Sequence, residues 1–188
     1  MARTVINRHE MIGATLQLGG APIDLSDYAT TGLKVVAIGP SGNGKTNAGL
    51  LVVEQLAKQG WVSVLIDPEG ELESLYGQAV ADPDDLHAKL IARKLPILVV
   101  SAKTATAFIP YGRVILEVAE EHRKPVLVFI DEGQLFSASK KSKGDIGDAV
   151  DIINQFAERG RKRALDLFVT ALRYTGSLHR TLFANKNL

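Results

Sequence analysis

The stretch that decides the fold is residues 33–46, which read LKVVAI followed by GPSGNGKT. The first six residues are a short apolar run rich in valine, typical of a strand that is buried on both faces. The next eight fit the pattern G-x-x-x-x-G-K-[ST], and apolar residues at helical spacing follow at 47–58. A phosphate-binding loop requires this strand–loop–helix context. The sequence therefore predicts that the chain binds a nucleoside triphosphate.

Each residue type in the loop has a physical role. Glycines allow backbone N–H groups to approach phosphate oxygens closely, and the N-terminus of the following helix adds a partial positive charge. We expect Lys45 to reach the β- and γ-phosphates and to assist catalysis, and the hydroxyl of Thr46 to bind Mg²⁺. The predicted nucleotide-binding residues are Gly39, Pro40, Ser41, Gly42, Asn43, Gly44, Lys45, Thr46 and Asn47.

Beyond the loop, apolar runs of strand length alternate with helical patterns. The predicted strands are 61–66, 96–100, 126–130 and 165–172, and the predicted helices are 86–95, 114–122 and 146–157. This alternation predicts an α/β fold with a mostly parallel β-sheet and helices on both faces. Residues 1–32, with possible short strands at 11–18 and 21–25, are expected to pack on a core formed by 33–188 within a single domain.

Composition excludes several classes of protein. The chain has 188 residues, of which 46% are hydrophobic and 23% charged, as in an ordinary globular protein. The formal net charge of +1 excludes a polycation that coats nucleic acid by bulk charge, and the absence of cysteine excludes disulfides and thiolate sites. Since no apolar run approaches the roughly 18–20 residues that span a bilayer, we expect no membrane span and a cytoplasmic location.

Two acidic residues, Asp131 and Glu132, follow the apolar run at 126–130. The carboxyl ends of parallel strands meet at one edge of a sheet, so both should lie near the phosphate loop. We expect Asp131 to contribute to Mg²⁺ binding and Glu132 to activate the attacking water as a general base. The alternative is that the pair only supplies favourable acidic charge to the first turn of a helix.

Four stretches of the chain resemble the RecA-like P-loop ATPase core of the HerA/FtsK superfamily, and the HerA branch in particular. They are the segment from Ile12 to Leu25, the sequence IDPEGE at 66–71, the sequence FIDEGQLF at 129–136, and RGRKR at 159–163 together with 178–185. The resemblance implies an Mg²⁺-dependent ATPase, stimulated by DNA, that translocates or packages double-stranded DNA without sequence specificity as a hexameric ring. It also implies that Arg161 reaches the γ-phosphate in a neighbouring subunit.

The chain departs from the family pattern at several positions. Leu172 stands where the family commonly has a glutamine, and the hydroxyl of Thr170 is one candidate replacement. Gln134 and Glu69 stand in place of histidines. The chain also ends where the family core would continue into one more strand. Its size is similar to that of genome-packaging ATPases of internal-membrane viruses, which implies a capsid partner, or otherwise a nuclease, in a virion or a host cytoplasm.

Lys140, Lys141 and Lys143 lie in a loop after the acidic pair, where they could contact DNA phosphates in a ring pore or form an ordinary surface loop. Three other functions compete with a DNA motor. A GTPase-like switch is disfavoured because the only N-K pair, at 185–186, lacks the aspartate of N-K-x-D. A small P-loop kinase fits the length, although Glu132 favours water as the nucleophile. The sequence cannot distinguish a DNA motor from an ATPase that regulates a nuclease or another effector.

Overall fold

The computed structural model describes residues 14–29, 31–77, 79–137, 144–173 and 178–188, and all of their side chains except that of Arg161. Within these ranges a short antiparallel hairpin precedes an α/β core. The hairpin strands are β1 (Thr15–Leu18) and β2 (Ala21–Asp24). The core strands are β3 (Lys34–Ile38), β4 (Val62–Asp67), β5 (Ile97–Ser101), β6 (Val126–Ile130) and β7 (Leu165–Ala171).

The core strands form a parallel sheet in the order β3-β7-β6-β4-β5. The three central strands β7, β6 and β4 are completely buried because helices cover both faces, whereas β3 and β5 at the edges are only partly buried. The helices are α1 (Lys45–Ala57), α2 (Leu72–Tyr76), α3 (Pro83–Ala92), α4 (Ala105–His122), α5 (Asp145–Arg163) and α6 (Arg180–Asn185).

Side chains that alternate along each strand divide the core into two layers. On one face, Leu127 and Phe129 of β6 pack with α1, α2 and the β1–β2 hairpin. On the other face, Val128 and Ile130 pack with α3, α4, α5 and α6. Glutamine side chains of α1 fasten the hairpin, since the Oε1 atoms of Gln55 and Gln59 accept hydrogen bonds from backbone N–H groups of β1.

Several helices differ from the sequence-based prediction. Helix α3 spans Pro83–Ala92 rather than 86–95, α5 continues to Arg163 rather than ending at 157, and the sequence did not predict α6. Helix α4 begins at Ala105 rather than at 114, because the Thr104 side chain caps the N-terminus by accepting a hydrogen bond from the Ala107 N–H (3.2 Å). Pro110 lies inside this helix, although proline usually ends or kinks one. The short helix α2 was also missed within an acidic stretch that indicated only turns.

The C-terminal residues pair with the outer edge of the sheet. The backbone N–H groups of Asn187 and Leu188 donate to the carbonyl oxygen of Lys34, and the Val36 N–H donates to the carbonyl oxygen of Leu188. The strand that leads into the phosphate loop is therefore held from both sides. Among the described residues, no helix combines the length and apolar character that crossing a membrane requires.

Candidate nucleotide-binding site

The loop 39–44 connects β3 to α1 at the carboxyl edge of the sheet. Gly42 and Gly44 have φ angles of 80° and 74°, in the left-handed region that favours glycine. Gly44 is the N-cap residue of α1 and brings no side chain to cover the first-turn N–H groups. These groups and the positive end of the helix are suited to a phosphate. The Lys45 ammonium lies in the same loop and donates a hydrogen bond to the carbonyl oxygen of Pro40 (2.8 Å).

The loop and the acidic pair meet as the sequence predicted. The hydroxyl of Thr46 lies 3.1 Å from each carboxylate oxygen of Asp131, although the two residues are 85 positions apart. Parallel strands explain the contact, because β3 and β6 both end at this edge.

A hydroxyl and a carboxylate are the oxygen ligands that Mg²⁺ prefers, so Thr46 and Asp131 fit this ion. The described residues contain no group of three His, Cys, Asp or Glu side chains arranged to hold a metal. Water and nucleotide phosphates would therefore complete the shell, as is usual for Mg²⁺.

Thr170 joins both acidic residues to the neighbouring strand β7. It lies near the end of β7, which separates β3 from β6, and its residue surface is 1% exposed. Its hydroxyl donates to Oδ1 of Asp131 (2.6 Å) and accepts from the backbone N–H of Glu132 (2.9 Å). Because the hydroxyl is one donor and an acceptor at once, it fixes the positions of the two acids relative to each other.

Glu132 has a left-handed backbone with φ 48° and ψ 48°. A residue with a Cβ is uncommon in this region, and such conformations concentrate at functional sites. The next residue must be small, since a Cβ on Gly133 would lie 2.3 Å from Cγ1 of Val169. The turn therefore lies tightly against β7 and holds Glu132 at the edge of the site.

The site also perturbs the acidity of Glu132. Partial burial raises the pKa of Glu132 above its ordinary value of 4.5, the negative charges of Asp131 and Glu69 raise it further, and the Lys45 ammonium opposes them. A carboxylate with a raised pKa is a stronger base, which suits the activation of water. The carboxylate of Asp67 helps to shape the turn that carries Glu69, by accepting hydrogen bonds from the N–H groups of Gly70 and Leu72.

An open cavity of about 130 Å³ lies between the loop and the acids. Its walls contain Ser41, Gly42, Lys45, Thr46, Asp131, Glu132, Gln134, Thr170, Ala171 and Leu172. The cavity thus brings together six of the residues that the sequence assigned to the triphosphate, to Mg²⁺ and to water, whereas Gly39, Pro40, Asn43, Gly44 and Asn47 are not among its walls.

Three further wall residues were not among the predicted site residues. Thr170 was considered only as a substitute for a missing amide, and its contacts with both acids depend on the order of the strands, which no motif reveals. Gln134 has a buried Oε1 atom with no hydrogen-bond partner among the described residues. Leu172 also borders the cavity.

Two further predictions concern residues that the structure describes only in part or not at all. The backbone of Arg161 lies in the last turn of α5, just before β7 begins and hence at the opposite edge of the sheet. Its side chain is outside what the structure describes. Lys140, Lys141 and Lys143 fall within 138–143 and are also outside the described residues.

No protein-family model matches the chain, and no curated protein matches it. Solved structures do. The genome packaging NTPase B204 from Sulfolobus turreted icosahedral virus 2, in complex with ATP-gammaS, superimposes with a TM-score of 0.64 at 16% identity, over 83% of this chain and 71% of that chain.

Two further structures share the fold. The pCW3 conjugation coupling protein TcpA with ATPgS gives a TM-score of 0.63 at 16% identity, over 96% of this chain and 53% of TcpA. EccC (ATPases 2 and 3) from Thermomonospora curvata gives 0.59 at 14% identity, over 92% of this chain and 32% of EccC. The predicted fold, a mostly parallel β-sheet with helices on both faces as in RecA-like P-loop NTPases, is confirmed.

Proposed function

We propose that the chain is an Mg²⁺-dependent ATPase motor of the HerA/FtsK type that translocates or packages double-stranded DNA as an oligomeric ring. The observation that carries the ATPase activity is the continuous contact from the phosphate loop through Thr46, Asp131 and Thr170 to Glu132. It supports a site in which a triphosphate, a divalent ion and a water-activating carboxylate are adjacent.

The geometry supports a division of work among the residues. The α1 N-terminus and the Gly42 and Gly44 backbone bind the phosphates, and Lys45 leaves the Pro40 carbonyl to reach them. Bound Mg²⁺, held through Thr46 and Asp131, would neutralise charge that develops on the phosphate oxygens. Glu132 orients the attacking water and accepts its proton.

The names of two of the structural neighbours support a DNA motor, whereas the third neighbour, EccC, was solved in complex with a signal sequence peptide. One is a genome packaging NTPase and another is a conjugation coupling protein. Another B204 structure is named a DNA-packaging ATPase, and we propose DNA as the substrate of this chain.

Phosphate release from Mg-ATP, with and without duplex DNA, tests the enzyme. We expect Glu132→Gln to bind ATP while hydrolysis falls at least about 100-fold, because the water loses its base. Lys45→Ala should weaken ATP binding itself. Glu73→Gln is the matched control, because it makes the same change of charge at an exposed position of α2. This variant should hydrolyse ATP normally. Normal turnover by Glu132→Gln would refute the assigned role of Glu132.

The same assay separates the motor from a kinase. A hydrolase releases inorganic phosphate with water alone as acceptor, whereas a kinase remains nearly inactive until its acceptor is added. Displacement of a third strand from a triplex on long duplex DNA then distinguishes translocation from regulation of a partner. ATP hydrolysis without displacement would favour the regulatory ATPase.

A further inference from the structure

The amino edge of the sheet, opposite the nucleotide site, carries a row of basic residues. In a parallel α/β sheet every helix-to-strand connection lies at this edge. Three such connections are 58–61 before β4, 93–96 before β5 and 123–125 before β6, and these strands are neighbours in the order β6-β4-β5. Together the connections contain five Lys or Arg residues and no Asp or Glu: Lys58, Arg93, Lys94, Arg123 and Lys124. We call them the basic edge.

The three lysines of the basic edge are available to a partner. Lys58, Lys94 and Lys124 are all exposed, and none forms an ion pair with any residue in the part of the chain that the structure describes. The chain as a whole has a net charge of only +1, so this edge concentrates positive charge that is balanced elsewhere.

Arg93 gives the basic edge its shape. Arg93 donates from Nη2 to the carbonyl oxygens of Gly60 (3.0 Å) and Pro125 (3.1 Å), which links the three connections. An open cleft of about 440 Å³ lies along this link, lined by Gln59, Gly60, Trp61, Arg93, Lys124 and Pro125. The basic edge is therefore a fixed concave surface rather than a set of independent loops.

The helix dipole explains only part of this pattern. Basic residues at a helix C-terminus are stabilised by the partial negative charge there. Lys58 is the C-cap residue of α1 and fits that explanation. Lys94 and Lys124 lie two residues beyond the last residues of α3 and α4, where the dipole stabilises them less.

We propose that the basic edge is a second contact surface for double-stranded DNA, separate from the nucleotide site and from the lysines at 140–143. The proposal rests on the proposed function, because it assumes a DNA substrate. The connections enter three adjacent strands spaced about 4.8 Å apart, so the row extends over about 10 Å. One DNA strand carries a charge about every 3.4 Å along the axis, which places about three phosphates opposite three lysines.

A second copy of the chain fits this edge less well. The acidic stretch 67–85 is the obvious complement, but its carboxylates are partly used within the fold. Asp67 and Asp82 accept backbone hydrogen bonds, and Asp85 pairs with Lys89 (2.7 Å). Such a stretch also lacks the regular repeat of charge that a DNA strand offers along the row.

The test measures how salt weakens binding to a random-sequence duplex. The triple variant Lys58→Gln, Lys94→Gln, Lys124→Gln loses three phosphate contacts, so the slope of log K against log salt should become shallower by up to about 2.7. ATP hydrolysis without DNA should match that of the unaltered chain. The matched control is Lys103→Gln, Arg180→Gln, Lys186→Gln, which removes three exposed positive charges elsewhere and should leave the slope nearly unchanged.

Two further arms make the result decisive. The triple variant Lys140→Gln, Lys141→Gln, Lys143→Gln tests the loop, and phosphatidylserine vesicles test an anionic surface without DNA. The proposal is overturned if the basic-edge variant keeps the full slope, if vesicles but not duplexes depend on these lysines, or if the variant changes only the oligomeric mass. An unaltered chain that hydrolyses no ATP would instead refute the proposed function, whichever slope is measured.

Discussion

At the scale of single residues, the site depends on one hydroxyl. Thr170 holds the carboxylate of Asp131 and the backbone of Glu132 through two hydrogen bonds of 2.6 and 2.9 Å. The left-handed backbone of Glu132 has little intrinsic stability, so an external bond to its N–H is needed to keep the base in position.

Thr170→Val should separate this positioning role from folding. It removes the hydroxyl at nearly constant shape, and with it both hydrogen bonds that hold the acids. We expect kcat to fall about tenfold or more, because the base is no longer held in position. KM for ATP should change little, because the phosphate loop is untouched. Thr170→Ser restores the hydroxyl and should recover most of kcat in steady-state assays. Equal loss in both variants would contradict the role.

Glu69 should control the pH at which Glu132 becomes an active base. The negative charge of Glu69 raises the pKa of Glu132, so Glu69→Gln should lower this pKa. The base must be deprotonated to act, and the acid limb of the kcat/KM profile should therefore move to lower pH. Glu71→Gln, two residues away and exposed, is the control and should leave the limb in place. An acid limb shared by the unaltered chain and Glu69→Gln would refute the coupling.

At the scale of elements, the close packing of α1 on the sheet fixes the position of the phosphate loop. A Cβ on Gly49 would lie 2.2 Å from Cε2 of Phe129 on β6. The helix that begins at Lys45 therefore lies against β6, which ends one residue before Asp131, and this approach brings Thr46 to the acid.

Gly49→Ala should destabilise the fold, although alanine is the better helix former by about 1 kcal/mol. The added methyl group overpacks the contact, and we expect a loss of about 1–3 kcal/mol in urea unfolding. The double variant Gly49→Ala, Phe129→Leu makes room for the methyl group, so its destabilisation should be smaller than the sum of the two single effects. Strict additivity would show that the Phe129 side chain does not limit how closely α1 approaches β6.

At the scale of the whole molecule, the two ends of the sheet have different tasks. The phosphate loop and the acids lie at the carboxyl edge of the sheet. The five residues of the basic edge and the backbone of Arg161 lie at its amino edge. Arg161 is therefore at the far end of the sheet from its own nucleotide site, so any role at a γ-phosphate requires a neighbouring subunit.

Mixing inactive subunits tests this arrangement. Arg161→Ala and Lys45→Ala damage different halves of a shared site, so a mixed ring contains some interfaces with both residues intact. We expect the mixture to hydrolyse more ATP than the sum of the separate variants. Lys45→Ala mixed with Glu132→Gln is the control. Both changes lie in the pocket of a single subunit, so every pocket in the mixed ring still lacks either Lys45 or Glu132. An Arg161→Ala mixture that stays inactive would count against action in trans.

The sequence by itself determined the fold class, the phosphate loop and the acidic pair. These features are local: a buried strand, a glycine-rich turn and a helix are neighbours along the chain, and apolar runs of strand length predict a sheet covered on both faces. The limits of β6, Val126–Ile130, were predicted without error. Helix α4 begins earlier than predicted, because Thr104 caps its N-terminus and the helix continues through Pro110, a residue type that usually ends or kinks a helix.

Only the tertiary structure decided which residues meet across the sheet. Strand order is not a local property, and it is the insertion of β7 between β3 and β6 that brings the Thr170 hydroxyl to both acids. The same is true of the basic edge, whose lysines are 30 or more positions apart in sequence. They form one row because parallel strands begin at a common edge and Arg93 joins their connections.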